Sequence, residues 1–367
     1  MRLDVETLIY LYLFICIALL IFNILYIFTS KGREKHQKKT ERFWEQEILQ
    51  QISLLKKEGQ INPLHQKKIE SSLRNTQNLV AFGSALERVK KQDPEGLLSY
   101  GEFSLRSIQA IASRYKKKES MERAYFAYLV SQYPPCGDQQ YPPLIEILIS
   151  FLEDSTVYCK ENVLKALYTL GNIQAVENAL QVFQNQGWFH HQKLLADGLL
   201  TFTGDKEALA ERLWSHYKDW NEVLMLSVIQ FITGFSENYK EEFMPLLSQE
   251  ETGMEIRLAI LRYYRRHRYE PVYPLLLQYV REEEEPDTVK IVAAFVLARY
   301  PGKDTIEVLK KALSHPNWYV RYNAADSLVT MGVSEEGLQD IFAGDDRYAK
   351  EILRYKLEEK KAGDVVL

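Results

Sequence analysis

The chain has 367 residues, 46% of them apolar and 26% charged, with a formal net charge of −4. That apolar share builds a sizeable core and excludes a disordered tail; with only 17 Gly, 12 Pro and no alternating β-branched runs, it points to an all-α protein. The three cysteines, Cys16, Cys136 and Cys159, have no CxxC spacing, so neither a disulfide framework nor a zinc site is indicated, which fits a reducing compartment.

Residues 8–28 contain twenty apolar residues out of twenty-one, Asn23 being the exception. At about 1.5 Å per helical residue this run spans roughly the 30 Å hydrocarbon core of a bilayer. A cleaved signal peptide needs a basic start, a shorter apolar core and a small-residue cleavage site. The run is instead preceded by Arg2, Asp4 and Glu6 and followed by Phe28, Thr29, Ser30 and Lys31, so an uncleaved transmembrane anchor is expected. Lys31, Arg33, Lys35, Lys38, Lys39 and Arg42 come directly after it and are candidate lipid-headgroup contacts. By the positive-inside rule the bulk of the chain faces the cytoplasm, as a single-pass protein of the cell membrane.

Residues 40–58 read as a helix with Phe43, Trp44, Ile48, Ile52 and Leu55 along one stripe, closed by Gly59. Pro63 opens a second, carrying Leu64, Ile69, Leu73, Leu79, Phe82, Leu86 and Val89 as far as Asp93 and Pro94. Two more, over 102–116 and 120–132, make a helical hairpin, with Phe103, Ile108, Ile111 and Tyr115 on the first and Met121, Ala124, Tyr128 and Leu129 on the second. The segment YPPCGDQQYPP, 133–143, breaks the pattern. Residues 31–123 carry 20 Lys plus Arg against 12 Asp plus Glu; residues 1–30 sum to −1, so residues 124–367 carry −11. Clusters such as Lys90–Lys91 and Lys116–Lys118 read equally well as lipid contacts and as a solvated face.

From Leu144 onward six helical hairpins are expected, ending near Gly171, Gly204, Gly234, Arg266, Gly302 and Gly332. The clearest unit is His315–Gly332, where Trp318, Val320, Ala324, Ala325, Leu328 and Met331 recur at helical spacing. Copies run over 286–302, through Val289, Lys290, Ala293, Ala294 and Leu297, and over 251–264, through Ile256, Arg257, Ala259 and Leu261. Gly171, Gly204 and Gly234 stand 33 and 30 residues apart, and Gly302 and Gly332 again 30. Such a period means stacked two-helix units, none able to bury its apolar face alone. A polar helix over about 335–361 is expected to cover the open end.

The pairs Val320–Arg321, Val289–Lys290 and Ile256–Arg257, each followed by a small or branched apolar residue, resemble HEAT repeats, particularly the short HEAT-like repeats of phycobilin lyases. The resemblance implies an α-solenoid in which the cation ties neighbouring turns together. Asn317 stands where that family usually places Asp. The resemblance is confined to the repeat unit, so no lyase activity follows from it.

No phosphate loop, Walker lysine, HExxH helix, GxSxG elbow or carboxylate-rich metal loop is present, so no catalytic, cofactor or metal site is assigned and an enzyme is not expected. In QGWFHHQK, His190 and His191 are adjacent and face different directions on a helix, which suits a repeat turn better than a metal pair. The cluster RYYRRHRYEPVYP, 262–274, interleaves basic and aromatic residues as nucleic-acid binders do, but its surroundings are acidic, with Glu282–Glu285 nearby. HEAT-like repeats also build DNA alkylpurine glycosylases, a class that an anchor and an acidic repeat region argue against.

The expected organisation is a membrane anchor with a short tail over 1–30, a basic juxtamembrane helical section over 31–143, HEAT-like repeats over 144–333 and a capping helix and tail over 334–367. The expected function is a membrane-anchored, cytoplasm-facing scaffold or adaptor for a membrane-associated protein partner; the alternative is a membrane-tethered nucleic-acid binder or enzyme. Large aromatics and Arg dominate interface energetics, which marks Arg262, Tyr263, Tyr264, Arg265, Arg266, Trp318, Tyr319 and Tyr322 as candidate partner-binding residues, with Trp188, Trp214 and Trp220 as further anchors.

Overall fold

The computed structural model describes residues 5–134, 141–249 and 251–365, and among these every regular element is a helix. The side chains of 5–9, 28–30, 102–106 and 363–365 are not part of the description, so the expected roles of Leu8, Ile9, Phe28 and Phe103, like the 135–140 part of the break with Cys136, lie outside it. The chain folds as two compact units, Met1–Ala179 and Leu180–Leu367.

The first unit is organised by α1 (Val5–Glu58), a single helix of 54 residues. The apolar run and the amphipathic stripe are thus one element, because Gly32 costs a helix only about 1 kcal/mol and nothing else between them interrupts it. Gly59 ends it at φ +70°, a conformation that favours glycine. Among the described residues α1 is the one helix long and apolar enough to cross a membrane by length and composition. Its C-terminal part buries Trp44, Ile48, Ile52 and Leu55.

The helix expected to open at Pro63 is in fact two, α2 (Pro63–Ser72) and α3 (Thr76–Gln92), since Asn75 caps the second by accepting from the backbone N–H groups of Gln77 and Asn78. Asp93 caps α4 (Pro94–Tyr115), which therefore starts earlier than the periodicity suggests, and α5 (Ser120–Gln132) comes next. After them come α6 (Pro142–Ser150) and α7 (Val157–Leu170), while α8 (Ile173–Asn185) contains the division between the units. α1 packs on α3 and α4, α2 on α4, and α5 on α7.

The second unit is a helical solenoid of two layers. One layer stacks α9 (Gln192–Leu200), α11 (Glu222–Phe235), α13 (Met254–Arg266), α15 (Asp287–Leu297), α17 (Trp318–Thr330) and α19 (Arg347–Val365), each packing on the next. The other layer holds α10 (Lys206–Trp214), α12 (Lys240–Ser248), α14 (Tyr273–Arg281) and α16 (Lys303–Ala312), each packing on the following helix of the first. The three clearest sequence copies are α13, α15 and α17, and their alanines, Ala259, Ala293, Ala294, Ala324 and Ala325, are buried at the contacts. The expected terminal helix is broken: a short α18 (Gln339–Ala343) ends at Gly344 before α19 begins.

The repeat-marking glycines have different roles. Gly171 and Gly332 adopt positive φ, 66° and 74°, and close α7 and α17. Gly234 lies inside α11, where a Cβ would stand 2.6 Å from Leu200 Cδ2, so it serves close approach to α9 rather than termination. Gly302 is extended at the start of α16.

The cations also act more locally than the repeat pattern implies. Arg257 reaches forward to Glu285 Oε1 at 3.1 Å, but Lys290 Nζ donates to Glu283 O at 2.9 Å and Arg321 Nη1 to His315 O at 2.7 Å, each holding the loop that leads into its own helix. Successive repeats are tied instead by buried hydroxyls that donate to backbone carbonyls one repeat away. Tyr279 donates to Leu247 O at 2.9 Å, Tyr300 to Tyr264 O at 3.1 Å and Ser327 to Ala294 O at 2.8 Å, while Tyr264 donates to Lys240 O at 2.6 Å within its own hairpin. Asn317 links repeats too, its Nδ2 donating to Asp287 Oδ2 at 2.8 Å.

Candidate interaction surfaces

The broadest aromatic exposure in the solenoid lies on α17 and α19. Asn317 fixes the start of α17 by accepting from Tyr319 N at 2.9 Å, which sets the direction of the side chains along its first turns. Trp318 is 48% exposed, Tyr319 61%, Tyr348 67% and Tyr355 53%, large fractions for rings of this size. Trp318 stacks obliquely on Tyr322 at 4.9 Å between centroids and edge-on against Tyr319 at 5.1 Å. The Arg321 guanidinium lies 5.4 Å from the Tyr348 ring, linking the two helices. A second link is Lys356, which donates to Tyr322 Oη at 2.6 Å and pairs with Asp326 and Glu359 at 2.9 and 2.7 Å. Burial alone would lower the pKa of its ammonium, but the bonds with Glu359, Tyr322 and Asp326 outweigh it and hold the group above the usual lysine value. Tyr322 is thereby half-buried and fixed, a base from which Trp318 and Tyr319 project.

The other aromatic candidates are placed differently. Tyr263 and Tyr264 are fully buried: Tyr264 donates to the Lys240 carbonyl, and the Tyr263 hydroxyl accepts from Tyr239 N at 3.2 Å, so neither offers its ring to a partner. Both hydroxyls meet the start of α12, the partner helix of the same hairpin. Arg265 lies over Phe295, its Cζ 3.4 Å from the ring centroid, and Arg268 pairs with Glu270, leaving Arg262 and Arg266 as exposed cations of that cluster. Trp214 and Trp220 are core residues, the latter donating from Nε1 to Leu213 O at 2.8 Å. Trp188 is half-buried against Phe183, and its neighbour Phe189 is exposed. His190 is buried and His191 caps α9. Among the described residues no group of three His, Cys, Asp or Glu is placed to hold a metal ion.

On α1, the six basic candidates Lys31, Arg33, Lys35, Lys38, Lys39 and Arg42 are all exposed, and the apolar side chains of residues 10–27 ahead of them are exposed as well. Below them lies a polar group that sequence reasoning missed. His65, buried on α2, makes a 2.8 Å hydrogen bond between Nε2 and Tyr100 Oη, while its Nδ1 stands 3.2 Å from Glu47 Oε2 of α1. Lys68 pairs with the same carboxylate at 3.2 Å. Burial pushes the His65 imidazole below its ordinary pKa, the opposing pull of Glu47 being smaller. Burial raises Glu47, but the hydrogen bonds with Lys68 and His65 more than offset it, so this carboxyl sits below the usual range. Nothing local in the sequence marks the group, because its members are separated by 18 and 35 residues.

The fold and its exposed rings define a class: a two-layer helical-repeat protein that presents aromatic side chains near the end of the stack. Residues 240–354 match the family model described as HEAT repeats, so these repeats are of the HEAT kind. No curated protein matches the chain.

Proposed function

We propose that the protein is a membrane-anchored adaptor that binds a protein partner through the aromatic face of α17 and α19. The observation that carries this reading is the set of exposed Trp318, Tyr319, Tyr348 and Tyr355 on a solenoid whose other large aromatics are mostly spent in its core. HEAT repeats commonly act as protein-interaction scaffolds. Aromatic rings held by packed neighbours are the side chains that most often dominate interface energetics.

The anchor is α1, whose apolar side chains over 10–27 are exposed and which carries six exposed cations directly after its apolar stretch. The positive-inside rule places the residues beyond the apolar stretch in the cytoplasm, so the partner is itself a membrane-associated protein, met at raised effective concentration. Two experiments test the reading. The double variant Trp318→Ala, Tyr319→Ala in the full-length chain is expected to lose reproducible proximity cross-links to a protein neighbour while keeping its thermal stability; unchanged cross-links would remove the assigned face. Protease added to intact cells is expected to leave the repeats uncut, and digestion from outside would reverse the topology.

A further inference from the structure

Helices α2, α3, α4 and α5 of the first unit enclose an apolar pocket of about 210 Å³. Its walls include Leu73, Phe82, Leu97, Ile111, Phe126 and Leu129. The one buried tyrosine in the lining, Tyr100, turns its hydroxyl to His65 Nε2 at 2.8 Å, so its ring rather than its hydroxyl is available to a ligand. An apolar cavity of about 150 Å³ stays dry and takes a benzene-sized guest. By proportion this one accommodates roughly eight carbons, and it is far too small for a helix of about 10 Å diameter.

The rim differs in kind from the walls. It carries Lys90, exposed and with its Nζ 5.6 Å from the Tyr133 ring, together with the exposed Leu98. Lys90 makes no salt bridge among the described residues, whereas its neighbour Lys91 is paired with Glu87. A narrow apolar pocket with one such cation at its mouth is complementary to a single hydrocarbon chain ending in one negative charge.

We infer that this pocket binds a single-chain anionic amphiphile of the fatty-acid class, its tail between α2–α5 and its carboxylate at Lys90. The assignment stands on the pocket alone and does not depend on the partner-binding face. The test uses the full-length protein in lipid nanodiscs and an analogue of octanoate, whose chain matches the pocket, carrying a diazirine and an alkyne, with adducts mapped by peptide mass spectrometry. Adducts are expected on peptides covering 94–101 and 126–134, displaced by excess octanoate but not by octanol, which has the same tail and no charge. Lys90→Glu is expected to lower this labelling roughly ten-fold, the effect of replacing attraction by repulsion at one charge. Leu129→Trp, which fills the pocket, is expected to abolish it. Labelling confined to residues 10–27 would mean bulk lipid contact only and overturn the assignment, as would displacement by octanol equal to that by octanoate. Lys90→Glu, on the surface, keeps the question open to refutation even if Leu129→Trp fails to fold.

Discussion

The two units fasten their helices with different mixtures of bonds. In the first, pairs of side chains, Glu47 with His65 and Lys68, His65 with Tyr100, and Arg88 with Glu41 and Glu45, stand beside bonds to backbone such as Tyr115 to Leu73 O and Arg123 to Glu153 O and Asp154 O. In the second, Tyr279, Tyr300 and Ser327 donate to backbone carbonyls one repeat away and Tyr264 to one across its own hairpin, beside the pairs Arg257–Glu285 and Asn317–Asp287. A carbonyl is present whatever residue bears it, so a tie of the second kind demands one side chain where a tie of the first kind demands two. Repeats fastened to backbone can diverge in sequence and keep their stacking, and the recognisable HEAT repeats, 240–354, lie in this part of the chain.

The largest expected effect probes the core of the first unit. Trp44 is 1% exposed and packs edge-on against Phe82 and His65. Trp44→Ala should cost about 3–5 kcal/mol, the usual range for a buried large aromatic. Hydrogen exchange on the full chain should lose protection over 40–115 while 180–367 keeps it; equal loss in both would mean that the units are not separate cooperative bodies.

Glu47→Ala removes one half of a side-chain pair and leaves the buried His65 Nδ1 without this partner, an expected loss of about 1–3 kcal/mol. Its counterpart in the second unit is Lys240, whose carbonyl accepts from Tyr264. Lys240→Ala keeps that carbonyl and should change stability by no more than about 0.5 kcal/mol, whereas Tyr264→Phe, which deletes the donor, should cost about 1 kcal/mol. Denaturant midpoints that rank Lys240→Ala with Glu47→Ala would erase the distinction between the two kinds of tie.

The gentlest probe is acidity. The folded pKa of His65 is depressed, so the unfolded chain binds the proton more readily, and stability is lost as pH falls below the unfolded value of about 6.5 and on through the folded one. Glu47, also depressed, adds its own loss only below the ordinary carboxylate range. The groups facing His65 are Glu47, Lys68 and Tyr100. Protection of the first unit should therefore decline between pH 7 and 5, and His65→Gln should flatten that decline. His315 in the second unit is shifted the same way but less buried, so the comparison is read on the first unit alone.

The helices of the solenoid were legible because apolar period, alanine positions and loop residues agree in α13, α15 and α17. Their fastening was not. Tyr263 and Tyr264 stand among arginines in the sequence, and only the stacked layer turns both rings inward. Gly234 reads as a terminator beside Gly171 until the approach of Leu200 shows what its missing Cβ accommodates. In the first unit, the break between α2 and α3 depends on one capping asparagine, Asn75, inside an otherwise continuous apolar pattern. The exposed rings were half legible: Trp318 and Tyr319 stand out by type, whereas Tyr348 comes beside Arg321 of α17 only once α19 packs on that helix.

Whether the α17–α19 face meets a protein is tested most directly by site-specific photo-cross-linking of the full-length chain in its own membrane. Benzoylphenylalanine is placed at position 319 and, as a control, at the exposed Lys311 of the same unit. A discrete, reproducible protein adduct at 319 that is absent at 311 and lost on adding Trp318→Ala is the expected result. Equal adducts at both positions, or none at 319, would contradict it.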